Sequence, residues 1–229
     1  MMRNYATEFL GTFFLVLTVG LTVLNGSPLA PLAIGSSLMI MVYMGGHVSG
    51  GHYNPAVSLA VLLCGKMSSV AEFAMYVVSQ LAGAIAAALV VYGVMGRSFA
   101  PAPGAEASIP SALLIELLFT FALALVVLNS AASAKTHGNS FYGLAIGFTI
   151  VVAAAAGGPV SGGAFNPAVG VGPILVNALV GGGTISYLWL YVIAPLLGGA
   201  LAAGMFAFQE REPLQPHAEP AKHPESRPA

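Results

Sequence analysis

A nine-residue segment occurs twice in this chain of 229 residues, once in each half. Ser49–Val57 reads SGGHYNPAV and Ser161–Val169 reads SGGAFNPAV, so seven of the nine positions are identical. A weaker repeat precedes each copy, at Glu8–Leu17 and Glu116–Leu125. Self-similarity on this scale has to be explained before any other feature of a sequence. It indicates that the two halves of the chain fold on the same plan.

Hydrophobic residues make up 57% of the chain and charged residues only 7%, whereas a soluble domain carries about 25% charged residues. About 20 apolar residues are needed to cross the hydrocarbon core of a membrane. Segments of that kind lie at 5–24, 30–47, 70–94, 110–130, 139–156 and 184–208. Two further apolar segments, 54–64 and 166–179, each begin with Asn-Pro-Ala and are too short to cross. The sequence therefore predicts an all-α membrane protein with six transmembrane helices and two re-entrant half-helices.

Each half contains three long segments, an odd number, so the second half must be inserted upside down relative to the first. The expected architecture is an inverted 3+3 repeat, with halves at about 4–95 and 110–208, in one transmembrane domain at 1–208. Six of the seven Lys and Arg residues then fall on one side, and the positive-inside rule puts both termini in the cytoplasm. The segment 209–229 contains five prolines and mixed charges and is expected to be a disordered tail.

The two Asn-Pro-Ala triplets have the residue order of helix N-termini. Asn is a preferred N-cap, and Pro suits the first helical position because its missing N–H would have no partner there. Inversion makes the two helix starts face each other at mid-membrane, where their partly positive ends disfavour a cation. The side-chain amides can donate to a passing oxygen. The residues concerned are Asn54, Pro55, Ala56, Asn166, Pro167 and Ala168.

The Gly-rich residues before each triplet are expected to be unwound. Unwound backbone is tolerated at this depth only where it is buried in protein or lines a watery cavity. Its carbonyl oxygens are therefore candidate acceptors along a path through the membrane. The predicted carbonyls are those of Gly51, His52, Gly162 and Ala164.

The paired motifs, each preceded by Ser-Gly-Gly, resemble those of the aquaporin and aquaglyceroporin family, the major intrinsic proteins. The resemblance covers nearly all of residues 4–208 and includes Gly172-Pro173 and the segment Ala194–Gly199. It implies a passive channel for water and small uncharged solutes, embedded in a lipid bilayer as a homotetramer with one pore in each subunit. Short loops, together with the lack of a targeting extension in the sequence, favour a bacterial inner membrane.

Two acidic residues, Glu8 and Glu116, lie inside predicted spans at equivalent positions of the two halves. A carboxylate within a bilayer is costly unless its oxygens find partners. One interpretation makes these residues ion-coupling groups. The other has each accept hydrogen bonds from an unwound half-helix loop. The symmetric placement favours the second interpretation, and the resemblance implies the same bracing role.

The resemblance also implies a second, narrower constriction on the extracellular side. Water-selective members form it from an aromatic residue, a histidine, a small residue and an arginine directly after the second motif. The matching positions here are Ile34, Ala154, Gly163 and Val169, all of them apolar. The constriction is therefore expected to be wider and less polar. Candidate solutes are ammonia, urea, glycerol, hydrogen peroxide and undissociated metalloid acids, besides water.

A secondary transporter of a small neutral solute is the alternative, because inverted repeats with interrupted helices also occur in transporters. Transporters usually need an ionisable residue along the path, and the sequence offers only Glu8 and Glu116 there. No nucleophile–base pair or paired carboxylates can be assigned to one aqueous site, which argues against an enzyme. No cofactor, metal or nucleic-acid partner is predicted, since metal-ligand spacing and a basic patch are both missing.

Overall fold

The computed structural model describes residues 1–211, which are helical almost throughout. Six of the helices are long and apolar enough to cross a membrane, which confirms the predicted fold class. A π-helical turn, Leu128–Ala132, continues the fifth helix. The α-helices are α1 (Met2–Leu24), α2 (Ala30–Ser49), α3 (Pro55–Leu63), α4 (Val70–Met95), α5 (Ile109–Val127), α6 (Tyr142–Ser161), α7 (Pro167–Val180) and α8 (Leu188–Glu210).

The two helices that follow the repeated motifs are much shorter than the rest. α3 has 9 residues and α7 has 14, so they are about 14 Å and 21 Å long at 1.5 Å per residue. Neither length reaches the roughly 30 Å of a hydrocarbon core. These are the two half-helices that the short apolar segments predicted.

The ends of α6 and α8 differ from the prediction. α6 was expected at 139–156 but runs from Tyr142 to Ser161. Gly157 lies inside the helix and not at its end. A side chain at this position would collide with Ile115 and Phe119 of α5, so the glycine permits close packing of the two helices. α8 was expected to end at residue 208 but continues to Glu210.

Contacts with the α5–α6 connection keep the last turn of α8 helical. Gln209 accepts a hydrogen bond from the Asn129 side chain at 2.9 Å. Glu210 accepts one from the Ser133 hydroxyl at 2.9 Å and lies 3.4 Å from the Lys135 ammonium group. The predicted disordered tail, 209–229, thus begins with helical residues, and its part beyond residue 211 lies outside the described residues.

The two halves repeat the same helix pairs. α1 packs along α4 in the first half, and α5 packs along α8 in the second. A glycine permits each close approach. A Cβ on Gly83 would meet the backbone oxygen of Phe9, and a Cβ on Gly198 would lie 2.5 Å from the backbone oxygen of Leu117. Small residues at such crossings are typical of helix packing within membranes.

Each half-helix packs against the last long helix of the opposite half. α3 contacts α8, where Gly199 lies against the backbone of Ala56, and α7 contacts α4, where Gly172 lies against Ala84. The N-termini of α3 and α7 meet at the centre of the molecule. The halves are therefore interlocked, and the motif residues are held between them.

The close approach of α5 and α8 can be tested with Gly198→Ala. The added methyl group would lie 2.5 Å from the Leu117 oxygen and 2.9 Å from the Phe121 nitrogen. Because overpacking of a well-packed contact costs about 1–3 kcal/mol, we expect a lower unfolding midpoint in detergent, followed by circular dichroism.

Gly204→Ala is the matched control on the same helix, since a Cβ at Gly204 meets nothing within 4 Å. Helix propensity alone favours alanine over glycine by up to about 1 kcal/mol, so the control should not lose stability. Equal midpoints for the two variants would contradict the packing argument.

Candidate functional site

The loops before the two Asn-Pro-Ala triplets share an unusual backbone. Tyr53 has a φ of 50° and Phe165 a φ of 51°, a left-handed conformation that is rare for bulky residues. Two glycines with positive φ precede each of them, which is the conformation that glycine adopts without cost. These glycines are Gly50, Gly51, Gly162 and Gly163. A strained backbone of this kind persists only where surrounding contacts hold it.

The Glu8 carboxylate holds the first loop. It accepts hydrogen bonds from the backbone N–H groups of His52 at 3.0 Å and Tyr53 at 2.7 Å. It also accepts one from the Ser49 hydroxyl at 2.7 Å. The carboxylate is fully buried, at 0% exposure, and its two backbone partners belong to the unwound segment.

The Glu116 carboxylate makes the equivalent contacts with the second loop. It accepts from the backbone N–H groups of Ala164 at 2.9 Å and Phe165 at 2.6 Å, and from the Ser161 hydroxyl at 2.8 Å. It is also fully buried. The lining of the central cavity, described below, contains neither Glu116 nor Glu8.

Each motif asparagine caps its own half-helix. The Asn54 side-chain oxygen accepts from the Ala56 N–H, and the Asn166 oxygen accepts from the Ala168 N–H, both at 2.8 Å. The intervening prolines, Pro55 and Pro167, are the first helical residues.

The same asparagines also tie the two loops to each other. The Asn54 amide donates to the backbone oxygen of Phe165 at 3.0 Å, and the Asn166 amide donates to the backbone oxygen of Tyr53 at 2.8 Å. An amide NH₂ group has two donor hydrogens, so each asparagine keeps one that these bonds do not use. Both asparagines line the central cavity.

The central cavity lies where the two half-helices meet and has a volume of about 20 Å³, enough for a water molecule. Its polar lining comes from the half-helix loops, through Asn54, Asn166 and His52. The opposite walls are aliphatic and belong to the long helices. They include Leu15, Ile34, Leu38, Leu123, Ile146 and Ile150.

A wider vestibule adjoins each end of the central cavity. The Lys66 vestibule shares His52 and Val127 with the cavity. The Phe99 vestibule shares Val19, Gly163 and Val169 with it. The Lys66 vestibule is also lined by Gly50, Lys66, Ser68, Glu72 and Tyr76, and the Phe99 vestibule by Val23, Phe99, Pro101 and Gly162. The two vestibules share no lining residue with each other, so the central cavity lies between them.

Three of the four positions expected at the constriction line the central cavity: Ile34, Gly163 and Val169. Ala154 is half-buried and does not line it. Ile150, one turn earlier on α6, does.

The four residues predicted to supply carbonyl groups also differ in position. His52 and Ala164 line the central cavity, and Gly162 lines the Phe99 vestibule. Gly51 is buried, and its N–H donates to the Ser49 hydroxyl at 3.1 Å.

Sequence reasoning missed the tyrosines that hold the start of each loop. The Tyr76 hydroxyl donates to the backbone oxygen of Ser49 at 2.8 Å, and the Tyr191 hydroxyl donates to that of Ser161 at 2.5 Å. An alignment of α4 with α8 would have paired these two residues. The repeated serines carried a signal too, because each stands at the start of the nine-residue repeat.

Two half-helices whose N-termini meet between similar halves, with a central cavity that shares lining residues with a vestibule at each end, define a membrane channel. The profile of the family described as Major intrinsic protein matches residues 1–206. This match covers most of the chain, so the protein belongs to the major intrinsic protein family.

Two bacterial relatives are matched over nearly their whole length. The chain is 36% identical to "Glycerol uptake facilitator protein-like 6" of Lactiplantibacillus plantarum, over 88% of this chain and 95% of that protein. It is 33% identical to "Aquaporin Z" of Rhodopseudomonas palustris, over 92% and 95% respectively. The crystal structure of the aquaglyceroporin from Plasmodium falciparum has a TM-score of 0.80 at 24% identity, covering 90% of this chain and 95% of that one.

Family membership makes the protein a passive, non-enzymatic membrane channel for water and small neutral solutes. Within residues 1–211, no group of three or more His, Cys, Asp or Glu side chains could hold a metal ion.

The contribution of the Glu116 carboxylate to the conformation of the second loop can be tested with Glu116→Gln. The amide replaces one of two acceptor oxygens, so a buried backbone N–H of Ala164 or Phe165 loses its partner. An unpaired buried donor costs about 1–3 kcal/mol, and we expect a lower unfolding midpoint and lower water permeability in proteoliposomes.

Glu106→Gln is the control, because it makes the same chemical change at an exposed position. We expect it to behave as the unmodified protein does. If Glu116→Gln matched this control in both stability and permeability, the carboxylate would not be needed to hold the loop.

Proposed function

We propose that the channel admits small uncharged solutes larger than water as well as water itself. The candidates are ammonia, urea, glycerol, hydrogen peroxide and undissociated metalloid acids. One observation carries the proposal. Val169, directly after the second Asn-Pro-Ala triplet, is apolar and lines both the central cavity and the Phe99 vestibule. Neither the bulk nor the charge of an arginine narrows the path at this residue.

The lining residues that the central cavity shares with each vestibule support a conduction path. A solute would enter the Phe99 vestibule, pass Val169 and Ile34, meet the two asparagines, and leave by His52 through the Lys66 vestibule. Along the cavity it would have aliphatic walls on one side and polar groups on the other. A site of this kind suits small neutral molecules with both apolar and polar surfaces.

The asparagines and the half-helices favour neutral solutes over cations. Each motif amide has a donor hydrogen that is not used between the loops, and it is available to a passing oxygen. The N-termini of α3 and α7 each carry about half a positive charge and meet at the same place. A cation there is repelled, whereas a neutral molecule is not.

The positions of the two buried acidic residues support passive flow over coupled transport, and Glu72 lines the wide Lys66 vestibule but not the central cavity. Glu8 and Glu116 lie outside the cavity lining, and their oxygens accept hydrogen bonds from the loops. We expect solute flux into proteoliposomes to rise linearly with solute concentration and to be independent of proton and sodium gradients. Flux that saturates at low concentration and follows an ion gradient would instead indicate a secondary transporter.

We also propose a homotetramer in a bacterial inner membrane, with both termini and the Lys66 vestibule on the cytoplasmic side. The resemblance supports the assembly, and the excess of Lys and Arg on that side supports the orientation. Light scattering of the detergent-solubilised protein gives the subunit number. Protease digestion of sealed right-side-out vesicles tests the side on which the termini lie.

Val169→Arg tests the apolar constriction. The guanidinium group adds bulk and positive charge to the narrow part of the path, so larger solutes should be excluded while water still passes. We expect urea and glycerol permeability to fall by about tenfold or more, since an added barrier of about 1.4 kcal/mol has that effect. Stopped-flow light scattering of proteoliposomes measures both solutes and water.

Val169→Leu is the matched variant, because it adds bulk without charge. A smaller loss of urea and glycerol permeability than in Val169→Arg assigns part of the effect to charge. Unchanged uptake of both solutes in Val169→Arg would put the constriction elsewhere and remove the support for the proposal.

A further inference from the structure

His52 lies at the junction of the central cavity and the Lys66 vestibule and lines both. Its side chain is only 9% exposed, and its ring lies 5.2 Å from the ring of Tyr76. The ring nitrogen Nε2 lies beside Gly50, where an added Cβ would be 3.0 Å away. Gly50 also lines the Lys66 vestibule. Within residues 1–211, the hydrogen bond of the ring is made by its other nitrogen, Nδ1.

The Gln80 side chain determines the direction of the hydrogen bonds around this ring. Its Nε2 donates to the Glu8 carboxylate at 2.8 Å and to the Ser58 hydroxyl oxygen at 3.0 Å. The atom that faces Glu8 must be the nitrogen, because a carboxylate only accepts. Both hydrogens of the amide are then used, one for each partner.

The direction of the bond between Gln80 and Ser58 determines the direction of the bond between Ser58 and His52. The Ser58 oxygen accepts from Gln80, and among residues 1–211 the one other hydrogen-bond partner of the Ser58 hydroxyl is Nδ1 of His52, so the hydroxyl hydrogen is donated there. The Nδ1 of His52 lies 3.0 Å from that oxygen. Nδ1 therefore accepts, and a neutral imidazole that accepts at one nitrogen carries its proton on the other.

We propose that Gln80 and Ser58 are positioning residues that hold His52 as the Nε2–H tautomer, so that Nε2–H donates into the conduction path. This inference rests on the proposed function. The solutes that the donor serves are neutral molecules with a lone pair, such as the oxygen of water, urea or glycerol. The donor follows the two motif amides and extends the polar side of the path toward the Lys66 vestibule.

The second half of the chain argues against a purely structural role for this trio. When the two nine-residue repeats are aligned, Ala164 takes the place of His52 and Gly170 that of Ser58; when Tyr76 is aligned with Tyr191, Pro195 takes the place of Gln80. The second loop nevertheless has the same backbone and the same carboxylate contacts. A loop of this shape can thus be built without the trio, which leaves the path as the place where its donor acts.

The tautomer can be read directly by NMR of the reconstituted full-length protein, with histidine labelled in the heavy nitrogen isotope. His52→Gln identifies the His52 signals by their loss. At about pH 8, where an ordinary imidazole is neutral, we expect an unprotonated Nδ1 and a protonated Nε2. A proton on Nδ1 in the unmodified protein would overturn the inference, whatever the variants do.

Ser58→Ala and Ser58→Thr test the positioning role. Alanine removes the donor, so we expect the single tautomer to be lost and proton signal to appear on Nδ1. Threonine keeps a hydroxyl group and should restore the Nε2–H form. An unchanged His52 spectrum in Ser58→Ala would show that the network does not hold the tautomer.

Permeability measurements test whether the tautomer of His52 affects solute conduction. We expect urea permeability in Ser58→Ala to fall by about two- to tenfold, since a net hydrogen bond contributes about 0.5–1.5 kcal/mol and tenfold in rate is about 1.4 kcal/mol. A shifted tautomer with unchanged permeability would overturn donation to the solute. If the unmodified protein passed no urea or water, the proposed function would fail, while the spectrum would still report the tautomer.

Discussion

Two hydrogen bonds at the centre of the molecule connect loops that belong to opposite halves of the chain. Asn54 donates to the carbonyl of Phe165, and Asn166 donates to the carbonyl of Tyr53. Both acceptors belong to residues with left-handed backbone, so the bonds form only if each loop keeps that conformation. The buried carboxylates hold it by accepting the N–H groups of the same residues. Without these contacts, several backbone groups would be unpaired in a region where that is costly.

Residues that occur in both halves hold the loops, and residues that differ between the halves determine the polarity of the path. The carboxylates, the serines, the tyrosines and the asparagines occur in both halves with nearly the same distances. A difference lies along the path, where His52 of the first loop is matched by Ala164 of the second, and both residues line the central cavity. The first loop therefore offers a polar side chain and the second an apolar one. A duplicated scaffold can vary these residues without disturbing the contacts that hold the loops.

Much of the fold could be predicted because the membrane imposes a simple length requirement and the repeat shows the symmetry. The six long helices and the two half-helices followed from these two features. Helix ends were less predictable, because a glycine such as Gly157 can be read in a sequence as the end of a helix, whereas in the structure it permits α6 to pack against α5. The sequence also did not show that Ile150 lines the central cavity and that Ala154 does not. α6 is apolar on all sides, so no periodicity marks the face that lines a path.

The exchange of half-helices between the halves also has a consequence for biosynthesis. α3 is made early, yet Gly199 of α8, against which the Ala56 backbone packs, is among the last residues of the domain to be synthesised. Until α8 has entered the membrane, α3 lacks one of its main packing surfaces. A ribosome-bound chain that stops before α8 therefore cannot form the packing around α3 that the complete chain has, so the first half-helix reaches its final surroundings only at the end of synthesis.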